Sequence, residues 1–333
     1  MDILIKSFNR PYYLDRCLYS IKRFINGYNK VIILEDGTPQ KYLDKIQQKY
    51  PFVEFQFSEA YSAKIKEQES TLNTGVENFS KVIPIQFWRK AAVNVTEYFI
   101  LTEDDIWYTQ NIDLKEYIEQ IKQHQVNFLK FHWFGNPLMI KGNLNLLPGS
   151  DVEIILPELP LFAEYIIKNK YYLHSILLLL KLMKRDFYTQ LYTVYGVAGH
   201  IYNKNFWLYL WPESLDKIEE MIQLGKTLEW KRKYPEKTFA KTKEEKAATS
   251  FLTSTSGSEE KLGFSMFRVN HSLNEAWYNG DLNAMDNFPK DFETGKVIDI
   301  LKKSGMEEKK VIAWRKWSDD FKNHFRSFGC KID

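Results

Sequence analysis

Tyr98-Phe-Ile-Leu-Thr-Glu-Asp-Asp-Ile-Trp107 runs from apolar and β-prone residues straight into three consecutive acids, Glu103, Asp104 and Asp105. An apolar run without alternation is the pattern of a parallel strand covered on both faces. The acids then fall at its carboxyl end, where open α/β sheets bind ligands. Adjacent carboxylates repel one another, and a hard divalent cation such as Mg²⁺ or Mn²⁺, held by one or two carboxylates plus donor phosphates, relieves that repulsion. An acidic surface turn is the bland alternative.

Upstream, the same grammar repeats. Ile3–Ile5 is a short apolar run followed by Lys6-Ser7-Phe8-Asn9-Arg10-Pro11, with Asn9 placed as an N-cap and Pro11 in the first helical turn. Leu14, Leu18, Ile21, Phe24 and Ile25 recur at helical spacing to about Asn26. Val31–Leu34 is a second buried-type strand ending in Glu35-Asp36-Gly37-Thr38-Pro39, and a helix follows over 40–50. Phe52–Phe57 alternates as a third strand, 60–76 reads as a polar loop, and 79–95 as a helix whose start the internal Pro84 is able to shift. Asp113 caps a helix to about Gln125, and 126–132 is another strand. Alternating strands and helices predict a parallel-dominated α/β sheet with Asp36 and Asp105 on one carboxyl edge.

Composition sets the limits. The 333 residues carry 46 basic and 43 acidic side chains, a net charge of +3 that implies no nucleic-acid partner. Two distant cysteines, Cys17 and Cys330, fit a reducing cytoplasm, and the amino terminus lacks a signal-peptide pattern. The expected location is the cytoplasm, and a helical insert at 161–192 offers, as one alternative, peripheral contact at the inner face of the membrane. There Ile176-Leu-Leu-Leu-Leu180 is flanked by Lys168, Lys170, Lys181, Lys184 and Arg185, an apolar run too short to span a bilayer. A buried helix or a dimer contact fits the same pattern.

Ile3-Leu-Ile-Lys-Ser-Phe-Asn-Arg-Pro11, Val31-Ile-Ile-Leu-Glu-Asp-Gly-Thr38 and Phe99-Ile-Leu-Thr-Glu-Asp-Asp105 together resemble, in order and spacing, the family 2-type glycosyltransferases of the GT-A fold. The resemblance covers about the first 135 residues. It implies a Rossmann-like, mainly parallel sheet flanked by helices, with a donor-binding half at 1–135, an acceptor-binding half at 136–290 and a helical extension at 291–333. It further implies transfer of a sugar from a nucleotide diphosphate-sugar, with UDP the expected nucleotide, to a glycan or lipid-linked acceptor. The expected setting is surface polysaccharide or glycan synthesis, with inversion at the anomeric carbon and Mn²⁺ or Mg²⁺ as cofactor.

On that resemblance Asp36 contacts uracil or ribose, Lys6 and Ser7 line the base pocket through their backbone, Asp104 meets the donor's ribose or sugar, and Asp105 binds the metal. Glu35 departs from the family's paired aspartates and is expected to play no part at the donor. Gly196 and Gly199 would form the floor of the sugar pocket, with His200 contacting the sugar or serving as a satisfied structural histidine. Glu213 and Asp216 are the candidate catalytic bases, each alternatively a helix cap. His271, at the end of an expected strand 264–269, is a candidate metal ligand, and Trp277 a candidate sugar platform. Residues 225–262 read as a mobile loop or lid. A nucleotidyltransferase ranks lower because Ser7-Phe-Asn-Arg-Pro11 lacks the glycines that grip a triphosphate. A non-catalytic binding protein of the same fold is the contrasting reading.

Overall fold

A computed structural model describes every residue except 81, 183–184, 216–218, 256–258, 328, 331 and 333. One nine-stranded mixed sheet runs through the molecule, built on β1 (Asp2–Ser7), β2 (Val31–Glu35), β3 (Val53–Phe57) and β4 (Tyr98–Glu103), all parallel and ordered β3-β2-β1-β4. The next strand in space is β8 (His200–Asn203), antiparallel between β4 and β5 (Val126–Lys130). Beyond β5 lie β9 (Thr238–Thr242), parallel to it, and the antiparallel β7 (Val152–Pro157) and β6 (Gly142–Leu146). Strand β8 therefore inserts the second half of the chain into the sheet of the first.

Ile3 and Ile5 face one apolar layer and Leu4 the other, as the two-residue period of a strand requires, and all are fully buried. On the first face pack α1 (Pro11–Phe24) and the carboxyl-terminal helices α12 (Thr294–Lys303) and α13 (Glu308–Arg326). The second face carries α4 (Ile85–Val93), α9 (Lys204–Leu210) and α10 (Glu220–Lys233).

Several expectations are corrected. The helix expected over 79–95 begins only at Ile85, because Pro84 cannot sit inside it. Residues 60–76 are not a loop but helix α3 (Tyr61–Thr74), ended by Gly75 at φ 78°. Its buried face is Lys64, Gln68 and Thr71, so helical spacing is kept by polar residues. Residues 264–269 are not a strand: Ser265 caps helix α11 (Met266–Asn279) by accepting from the Arg268 amide. The region expected to be a mobile loop contains α10, β9 and a short strand Ala247–Thr249 that pairs with Ile106–Tyr108. Asn9 is not the cap of α1. It sits at φ 52° and is held by Thr38 Oγ1 and the Asn274 side chain, which leaves Arg10 in the cap position ahead of Pro11.

Candidate functional site

Both acidic turns hang from one strand. β1 pairs Ser7 with Glu35 on one side and Lys6 with Glu103 on the other, so both neighbours reach the same rim. The ladder continues into the turns: the Asp36 amide donates to Ser7 O at 3.1 Å, and the Asp104 amide to Lys6 O at 3.0 Å. The Phe8 amide adds a bond to Asp104 Oδ2 at 3.1 Å. The backbone atoms of Lys6 and Ser7, expected at a base pocket, are thus the beam on which both turns are mounted.

Glu35 shapes its turn. Its Oε1 accepts the amides of Asp36, Gly37 and Thr38 at 2.6–3.0 Å, and Ser7 Oγ donates to Oε2. Asp36, also buried, takes its partners from outside the turn. Its carboxylate takes Ser58 Oγ and Lys64 Nζ, the latter from α3. Burial raises the Asp36 pKa, partly offset by the bond from Lys64. Gln68 and Tyr61 bond the carbonyls of Gly37 and Thr38, so α3 sits as a cover on this turn.

At the other turn Arg10 bridges the acid pair, Nη1 to Asp105 Oδ2 at 2.6 Å and Nη2 to Asp104 Oδ1. Burial raises both carboxyl pKa values, Asp104 to about 7, with Arg10 opposing the shift and the neighbouring acid reinforcing it. Burial also acts to raise Glu103, but its ion pair with Lys6 at 2.5 Å prevails and its pKa is lowered. One oxygen is unaccounted for: Asp105 Oδ1 is buried and has no hydrogen-bond partner. A hard, unpartnered carboxylate oxygen beside a second buried carboxylate fits a Mg²⁺ or Mn²⁺ that completes its shell with phosphate and water. Among the described residues no group of three or more His, Cys, Asp or Glu could hold a metal unaided.

The remaining sequence candidates are not gathered here. His271 lies on α11, where its charged neighbours are Glu275, Lys41 and Arg268, rather than at a strand end beside Asp105. Trp277 is buried, its indole N–H donates to Asp15 at 2.9 Å, Lys45 covers its ring and Tyr42 meets it edge-on, so no face is left to stack on a sugar. His200 is fully enclosed, accepting the Phe131 amide and packed on Phe128 and His132; burial holds its pKa well below the usual value. A Cβ at Gly196 would come within 2.5 Å of that ring, so this glycine makes room for a histidine, not a ligand. Glu213 lies on the surface, bonded to Arg89 at 3.2 Å, and Asp216 falls outside the described residues. A neighbouring acid not singled out in the sequence, Glu220, opens α10 and accepts from the Tyr192 hydroxyl.

Arg10 and Lys64 are the side chains paired with the rim acids that sequence patterning missed. Arg10 and Asp104 are 94 positions apart, and no local spacing links them. A cavity of about 120 Å³ opens beside the rim between Trp107, His132, Trp133, Thr249, Phe251 and Asp291, while a larger one, about 530 Å³, lies between Asp113, Tyr117, Pro148 and Asp151. The five acids of the two turns line neither of these cavities.

No protein-family model matches the chain, and no curated protein matches it. Among solved structures it is similar to residues 1–349 of TarS from S. aureus, at 12% identity and a TM-score of 0.42, covering 97% of this chain and 91% of that one. The UDP complex of the same protein gives 13% and 0.40 over the same shares. Glucosyl-3-phosphoglycerate synthase from Mycobacterium tuberculosis, in complex with Mn²⁺, UDP and phosphoglyceric acid, gives 10% and 0.39, covering 84% of this chain and 78% of that one.

Proposed function

We propose that the chain is a GT-A glycosyltransferase that moves a sugar from a nucleotide diphosphate-sugar, UDP-sugar by expectation, to a carbohydrate or lipid-linked acceptor with inversion. The observation that carries the reading is the mounting of both acidic turns on β1, with Asp105 Oδ1 left unpartnered. Asp36 would accept hydrogen bonds from the nucleoside at one end, and Asp105 with Asp104 would hold Mg²⁺ or Mn²⁺ at the other. Bound there, the cation supplies positive charge to a departing diphosphate.

The protein's own groups do the rest. Arg10 neutralises Asp104 and Asp105 while no donor is bound, and its guanidinium is within reach of any phosphate brought to those carboxylates. Lys64 shields Asp36 in the same way, so nucleoside binding exchanges a lysine contact for a ribose or base contact and requires α3 to yield. The aromatic cavity at Trp107 and Trp133 is the place for an acceptor, because Trp107 follows Asp105 by two residues.

Release of UDP from UDP-sugars with and without Mn²⁺ tests the reading, together with Asp105→Ala. Loss of cation-dependent release in a folded variant is expected; full activity of that variant, or of the wild type in excess EDTA, sinks the mechanism. The closure of the rim by Arg10 and Lys64 favours a second reading, a non-catalytic binding protein of the same fold. Donor binding without UDP release would establish it, and pyrophosphate release would point instead to nucleotidyl transfer.

A further inference from the structure

Among the described residues, the most exposed large apolar side chains lie in the insert at 161–192. Its base is seated: Ala163, Ile166 and Ile167 are buried, and Glu164 and Lys168 pair with Arg232 and Glu229 of α10. Its tip is bare. The helix Leu173–Leu179 buries none of its residues, and Leu161, Phe162, Tyr171, Tyr172, Leu179 and Leu182 are 62–88% exposed. Scattered apolar residues on a surface need no explanation, but this many within about 20 residues form a contiguous patch of the kind that marks an interaction surface.

Two features say what covers it. The segment carries five basic residues against two acidic, a net charge of +3 that equals the net charge of the entire chain. Lys170, over the ring of Tyr165, and the exposed Lys181 flank the leucines, with the interfacial residues Tyr171 and Tyr172 beside them. Leucines between tyrosines and lysines match the apolar, amphipathic and anionic layers of a lipid surface in order of depth. Phe162, Asn169, Tyr171, Tyr172 and Lys181 also lie at φ 48–59°, which disfavours residues carrying a Cβ, so the tip is not held in a relaxed fold of its own. Among the described residues no helix is long and apolar enough to cross a membrane, which leaves a surface contact.

We infer that the tip of this insert docks the protein on anionic lipid bilayers. The leucines enter the headgroup boundary and the lysines meet lipid phosphates. The insert ends at Tyr192, whose carbonyl accepts Lys130 Nζ at the end of β5, so docking would bring the carboxyl edge of the sheet close to the lipid.

Co-sedimentation of the full chain with phosphatidylcholine vesicles, with and without phosphatidylglycerol, tests the inference independently of any turnover. Binding only to the phosphatidylglycerol vesicles, falling as KCl is added, is expected. Leu179→Glu with Leu182→Glu should weaken binding about a hundredfold, on the scale of about tenfold for each leucine withdrawn from an apolar layer. Lys170→Gln with Lys181→Gln should weaken it about fivefold for each charge. Since these side chains are exposed, the variants should keep the circular dichroism of the wild type. Equal binding to neutral and anionic vesicles, binding to neither, or binding untouched by the leucine changes overturns the inference. So does a wild-type dimer that the leucine changes convert to a monomer, because the occupant is then a second copy of the chain.

Discussion

Removing Arg10 is the sharpest test of how the acidic rim is held. One guanidinium compensates two buried carboxylates, and Asp104 titrates near 7 even with that help. Arg10→Ala leaves both acids enclosed without a counter-charge, and truncating one partner of a buried pair costs about 3–5 kcal/mol. The cost must depend on pH. A carboxyl whose folded pKa is raised contributes stability below its unfolded pKa near 4 and loses that contribution, at about 1.4 kcal/mol per pH unit, as pH rises toward the folded value. Without Arg10 the folded pKa values climb further, so the loss continues to higher pH than in the wild type. Chemical denaturation at pH 5 should show the variant weaker by about 1 kcal/mol, mostly lost hydrogen bonds. At pH 8 the gap should widen to about 4 kcal/mol. Mn²⁺ should raise the melting temperature of the variant more than that of the wild type, by replacing the missing charge. A gap that stays constant from pH 5 to pH 8 would refute the counter-ion role of Arg10.

Three further outcomes are expected. Burial keeps Asp104 half-protonated near pH 7, and a cation favours the ionised form, so Mn²⁺ affinity measured by calorimetry should rise up to tenfold per pH unit below 7 and level off above it; affinity flat between pH 5.5 and 8 would exclude Asp104 from the site. Trp277→Phe should cost about 1–2 kcal/mol of stability through the lost bond to Asp15 and leave the donor KM unchanged; a tenfold rise in KM at unchanged stability would restore the sugar platform. Gly196→Ala should destabilise by about 1–3 kcal/mol, read as a lower denaturation midpoint, because the new methyl meets His200 and Phe128.

What could be read from the sequence follows from what each element buries. β1, β2 and β4 put unbroken apolar runs between two layers, β5 a run broken only by the buried Asn127, and α1 shows an apolar stripe, so hydrophobic pattern alone locates them. α3 escaped because its inward face is Lys64, Gln68 and Thr71, correct in period and invisible to any scan for apolar residues. The hairpin of β6 and β7 escaped because β6 is an edge strand with Leu144 and Leu146 exposed. At the rim, the acids were legible because they end strands. Their partners were not, because ion pairs between Arg10 and Asp104 or Lys64 and Asp36 are made by topology. Trp277 was read as a sugar platform by residue type, and in the fold its indole is spent on Asp15, while His200, left open between sugar contact and structural histidine, takes the structural place by accepting the Phe131 amide.

The two carbonyls of β1 also act as a ruler. Strands β2 and β4 flank β1 at one sheet spacing on either side, so the turns they carry stand about 10 Å apart, twice the distance between neighbouring strands. A molecule touching both turns must itself bridge that interval. The interval between the two turns is thereby fixed by the backbone ladder, independent of which side chains decorate either end.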